Sequence, residues 1–242
     1  MDYNNRPSTP PPFYSGGSSS SLTTQVNAVM RKVYVRMFIG LLISAFCALG
    51  IATSPAAISF FFGNQIVFWG MLIAMFVMAW VLPARFERMS QGTVLLCFCI
   101  FSALMGCWLA PIFLVYKLGT IVYTLFITAG TFGAMSVYGY FTKSDLSKMG
   151  SYLMMGLFGL IILMIVNIFA HSSTIEWIVS IVGVVLFIGL TAWDTQQIRR
   201  MSQANLDPAM SDKLATIGAM NLYLDFINLF IFLLRIFGGS RD

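Results

Sequence analysis

The chain reads as seven long apolar runs separated by short polar interruptions, at about residues 35–53, 65–82, 92–114, 119–141, 150–170, 175–194 and 215–234. Each run is near the ~20 residues needed to cross a bilayer core. All seven are expected to be helices, because a helix satisfies its own backbone hydrogen bonds in lipid. Two edges are soft. The apolar stretch PAAISFFFGN before the second run predicts an interfacial turn or a longer, tilted helix. The seventh run is interrupted by Asp225 and Asn228, so it reads as a buried central span or as a re-entrant segment.

Composition sharpens this picture. Of 242 residues, 58% are hydrophobic and only 10% charged, with a mean hydropathy of +0.84. Soluble domains carry about 25% charged residues, so the fold class is an all-α integral membrane protein, one compact bundle of seven transmembrane helices. Residues 1–24, rich in Pro, Ser and Gly, predict a disordered tail, and residues 25–242 the membrane domain. No short apolar core with a cleavage site opens the chain, which argues against a signal peptide. Stripes of small residues, Gly40, Ser44 and Ala48 or Ala129 and Gly133, predict close helix packing within the monomer rather than a dimer face.

The net charge of +5 does not point to nucleic acid, because the basic residues sit at the ends of the apolar runs. Eleven of them fall on the amino-terminal side, among them Arg31, Lys32, Arg36, Arg85, Arg88, Lys143 and Lys213. Only Lys117, Arg235 and Arg241 fall opposite. By the positive-inside rule the amino terminus is cytoplasmic and the carboxyl terminus outside.

The chemistry this sequence can support is narrow. It has no phosphate-binding glycine loop, no His-Glu-x-x-His helix and no Gly-x-Ser-x-Gly elbow. Its single histidine, His171, is near no nucleophile, so no enzyme is expected. Cys47, Cys97, Cys99 and Cys107 all lie in apolar runs and read as packing residues, not a metal site or disulfides. No cofactor is implied.

What stands out is two acids at membrane depth. Asp194 closes the sixth run and Asp225 lies inside the seventh. A carboxylate at the bilayer centre costs about 2.5 to 3.5 kcal/mol on insertion scales. Asp225 also belongs to a semi-polar stripe, Asn221, Asp225, Asn228 and Phe232, which must face the bundle or water. It is read either as a functional acid or as a polar lock between helices. Two carboxylates in one low-dielectric site cannot both ionise cheaply, which makes the pair a candidate proton sensor. Arg85 is the first candidate for a cationic partner and Arg88 the alternative. Once ionised, the carboxylates are hard oxygen ligands of the kind calcium prefers, so transient calcium binding at Asp194 and Asp225 is also expected. The loop acids Asp145, Asp207, Asp212 and Glu176 read as solvated, and Tyr223 and Trp193 as packing aromatics.

The stretch LYLDFINLFIFLLRIFG at 222–238 closely resembles the carboxyl-terminal signature of the Bax inhibitor family, and WDTQQI at 193–198 resembles its acid-Thr-Gln segment. The resemblance covers about residues 25–240. It implies a bundle whose last helix is central and enclosed by the other six. It also implies a bacterial inner-membrane protein acting as a pH-sensitive calcium leak, with calcium as the transported ion and protons as the partner that regulates it. Asp194 and Asp225 would be the sensor, bonded to an arginine of the second helix. Arg85 in PARFER is the better match, although Pro83 interrupts that helix end and the basic cluster is sparser than the family pattern. Other bacterial members are associated with a membrane-bound ATP-dependent protease, which implies the alternative role of an interaction protein without transport.

Overall fold

The computed structural model describes residues 17–204 and 206–238, with side chains from residue 22 onward. The expected tail up to residue 16 lies outside the described residues. From residue 17 the chain is already helical, so the first helix begins inside the tract expected to be tail. Among the described residues there are seven helices long and apolar enough to cross a membrane. The chain is an all-α membrane protein.

The spans are α1 (Gly17–Ala52), α3 (Gln65–Arg85), α4 (Gln91–Leu109), α6 (Leu118–Phe141), α7 (Ser147–Ala170), α8 (Ser173–Ser202) and α9 (Pro208–Phe237). Two short helices, α2 (Pro55–Gly63) and α5 (Ile112–Val115), and a 3₁₀ turn at Phe86–Arg88 fill the connections. The soft edge before the second run is therefore a separate helix. Ser54 caps α2, its side chain accepting from Ala57 N at 3.3 Å, with Pro55 preset for the first turn. Asn64 then stops α2 and starts α3, accepting from Ile66 N at 3.0 Å. Ser90, Ser172 and Asp207 cap α4, α8 and α9 in the same way.

The seventh run is neither broken nor re-entrant: α9 is a continuous 30-residue helix and the most buried of the spans. It packs against α1, α4, α6 and α8, while α3 rests mainly on α4 and α7 on α8. Glycines set the closest approaches. A Cβ on Gly106 would strike the Ser44 backbone, so α1 and α4 meet at van der Waals contact. A Cβ on Gly139 would strike the Ala192 carbonyl, fixing α6 against α8. Gly40, Ser44 and Ala48 line the α1–α4 side of this packing as their spacing predicts.

The second small-residue stripe is a correction. Ala129 is exposed, and nothing lies within 4 Å of a Cβ built on Gly133. On α6 the buried stripe is Thr124, Thr128, Phe132, Ser136 and Gly139 instead. In lipid the small hydroxyl residues turn inward and the apolar ones outward.

Candidate functional site

One residue pair fixes the rotation of α9. The Tyr223 ring is fully buried with its hydroxyl 2.6 Å from Ser44 Oγ, which donates in turn to Ser102 O at 2.7 Å. Phe98 and Phe101 meet the Tyr223 ring edge-on, centroids 5.7 and 6.1 Å away. Tyr223 thus locks α9 to α1 and α4. Two residues on is about 200° around a helix, so Asp225 points the other way, toward α8.

There it meets Asp194. The two carboxyl groups face each other within hydrogen-bonding reach, with Asp225 4% and Asp194 9% exposed. Asp225 Oδ2 is buried, and among the described residues no donor reaches it. A hydrogen bond between two carboxyl groups needs one proton between them. The surrounding α8 hydroxyls do not serve the acids: Thr191 and Thr195 donate to Phe187 O and Thr191 O of their own helix. The Tyr34 hydroxyl approaches Ser136 and Thr195 from α1.

The rest of the predicted stripe divides. Phe232 faces α8 as Asp225 does, lying over Gly183 and stacking on Phe187 with centroids 5.9 Å apart. Asn221 and Asn228 are half-buried, and Asn228 Nδ2 donates to Leu224 O in its own helix at 2.8 Å. Phe226 packs edge-on against Phe132, 5.5 Å between centroids, so aromatic bulk flanks the acid on both sides.

The expected arginine is not at the site. Arg85 and Arg88 are both exposed, and among the described residues no ion pair joins either to Asp194 or Asp225. The reason is axial register. The turn that follows Arg85 is tied to α9 by Lys213 Nζ donating to Glu87 O at 2.9 Å. Lys213 precedes Asp225 by twelve residues, roughly 18 Å along the helix.

A largely covered arginine with an acid partner lies on α1, its side chain 15% exposed. Arg36 Nη2 and Lys32 Nζ sit 2.6 and 2.9 Å from the two carboxylate oxygens of Asp212. Arg36 Nη1 also donates to Asp212 O at 2.6 Å and to Thr216 Oγ1 at 2.8 Å. Asp212 is 7% exposed, so its reading as a solvated loop acid is corrected. The signal was Arg36 itself. With α1 beginning well before residue 35, its guanidinium lies deep in a helix and needs a partner. Asp207 is the α9 cap. Asp145 is exposed, pairs with Arg200 at 2.7 Å and accepts from Ser147 N. That backbone N–H foremost, then the Ser147 side chain and Arg200, holds its carboxyl down to about 2.

Among the described residues no group of three or more His, Cys, Asp or Glu side chains could hold a metal. Two carboxyl groups suit a passing hard cation, not a resident calcium ion with its 6–8 oxygen ligands.

These features define a class first: a seven-span helical membrane protein with two acids in contact inside its core. The family follows from comparison. Residues 26–242 match the family model described as Inhibitor of apoptosis-promoting Bax1, the Bax inhibitor-like family. The chain is 43% identical over 214 residues to the inner membrane protein YbhL of Escherichia coli K12, covering 88% of this chain and 92% of that one. It is 43% identical over 217 residues to an uncharacterized protein of Borreliella burgdorferi, covering 89% and 94%. A Rickettsia prowazekii protein is 40% identical over 217 residues, covering 88% and 90%. The chain belongs to the Bax inhibitor family.

Proposed function

We propose that this protein is a passive, proton-regulated calcium leak of the cytoplasmic membrane, with Asp194 and Asp225 as its proton sensor. The observation that carries the reading is the contact between the two buried carboxyl groups, with no cation ion-paired to either among the described residues. Titration there changes the charge of a site that water and salt do not screen, so the α8–α9 contact responds to pH. When both are ionised, the two carboxylates are hard oxygen ligands of the kind a passing calcium ion prefers. Asn221 and Asn228 flank Asp225 on α9 as the semi-polar route, with Phe226 and Phe232 as the plug.

The inner-membrane placement of the Escherichia coli relative supports the same membrane here. The basic asymmetry supports a cytoplasmic amino terminus, placing Arg85, Lys143 and Lys213 on the cytoplasmic side. The reading keeps the acid pair and drops the arginine from the resting contact.

Calcium flux into liposomes holding purified protein, measured across pH alongside Asp225→Asn, tests it. The expected result is a pH-dependent flux whose profile is flattened in the variant. Absence of flux at every pH, with a membrane-bound ATP-dependent protease copurifying from cells, would favour the interaction role instead.

A further inference from the structure

Between α1 and α6 lies an apolar crevice of about 580 Å³, within the range of about 300–1,000 Å³ typical of ligand pockets. The two helices pack on α9 rather than on one another, which leaves this gap. Its floor is α9, at the buried rings of Phe226 and Phe230. Its rim is exposed: Phe38 and Ala45 on one side, Leu125 and Ala129 on the other. Both walls are membrane spans, so the opening faces hydrocarbon, not water. From Tyr34 to Ala48 the α1 wall is roughly 21 Å long.

One end of the crevice is polar and charged. Tyr140 Oη donates to Asn27 Oδ1 at 2.6 Å, closing the gap between α6 and α1. Arg31 stands on the same face of α1 as Tyr34, Phe38 and Ala45, at i, i+3, i+7 and i+14 spacing. It is exposed, and among the described residues it makes no ion pair. A second guanidinium, Arg199, lies 5.0 Å from the Tyr140 ring centroid.

We infer that this crevice binds one membrane phospholipid, its phosphate at Arg31 and one acyl chain laid against Phe226 and Phe230. The charge order matches: a cation at the membrane-surface end of an apolar slot complements a phosphate above a hydrocarbon chain. The bound chain touches α9 one residue from Asp225 and replaces the contact that α1 and α6 do not make with each other. This binding does not depend on the proposed leak.

Native mass spectrometry of the full chain, extracted in mild detergent from phospholipid membranes, tests the inference. Wild type should carry one phospholipid per monomer, identified by fragmentation of the released lipid. Filling the crevice with Ala45→Phe and Ala129→Phe should abolish retention. Arg31→Ala, a surface change that leaves packing intact, should weaken it roughly tenfold, or about 1.4 kcal/mol. Gly130→Phe, on the exposed face of α6 with open space around it, should retain the lipid. Loss of lipid in Gly130→Phe equal to that in the filled variant would overturn the site. So would equal retention in wild type and Arg31→Ala, or no lipid on wild type.

Discussion

Asp212 and Asp225 lie on one helix, thirteen residues and roughly 20 Å apart, and are buried almost equally at 7% and 4% exposure. Their surroundings are opposite. Asp212 is held by Lys32 and Arg36 and shares Arg36 with Thr216, so its charge is neutralised in place. Among the described residues Asp225 has no cationic partner and faces another acid, Asp194. The first arrangement ties α1 to α9. The second changes character with a single proton. Burial alone therefore does not distinguish the two carboxyls; what faces each does.

The two acids should respond unequally to loss of charge. Asp212→Ala should destabilise the fold by about 3 kcal/mol, since it leaves a buried guanidinium uncompensated. Asp225→Asn should shift stability by less than about 1 kcal/mol, in line with interhelical polar contacts in membranes. Denaturant titration in micelles distinguishes them, and equal losses would show that both acids are structural. Within the clamp the effects should also be unequal. The Lys32 side chain is 49% exposed, so Lys32→Ala should cost at most about 1 kcal/mol.

Arg85→Ala sharpens the comparison from the other side. Because Arg85 is held near the level of Lys213, the midpoint of the flux profile should not move. A shifted midpoint would show that α3 reaches the acids in a second conformation.

The smallest effect belongs to Asp145, an exposed acid with a cationic partner. Its carboxyl titrates near 2, below the ordinary value of 3.8, because Ser147 N, the Ser147 side chain and Arg200 favour the charged form. A depressed value contributes stability above about pH 4 that disappears as pH falls toward 2. The melting difference between wild type and Asp145→Asn should therefore close on acidification. A gap unchanged at pH 2 would contradict the assignment.

Much of this was legible in the sequence, for physical reasons that also explain the failures. A bilayer requires long apolar helices, so all seven spans could be read from hydropathy, and a buried acid is costly enough to point to Asp194 and Asp225. The Asp212 clamp was hidden because the hydropathy windows began at residues 35 and 215. Asp212 therefore looked like a loop residue and Arg36 like the edge of a run, whereas both helices extend past the apolar core. The face of α6 was misread because Ala129 and Gly133 are small, but smallness does not say which side turns inward; the inward hydroxyls of Thr124, Thr128 and Ser136 do. The arginine could not be placed from sequence, since its distance from the acids depends on how α3 docks at Lys213.

The central claim is that the Asp194–Asp225 contact carries the proton that regulates the path. Isotope-edited infrared titration of aspartate-labelled protein, following the carboxylic C=O band, addresses it directly. The account predicts a buried carboxylic band that titrates with the same midpoint as calcium flux and is absent from Asp225→Asn. A band that persists in the variant, or one that stays constant across the pH range where flux changes, would contradict it.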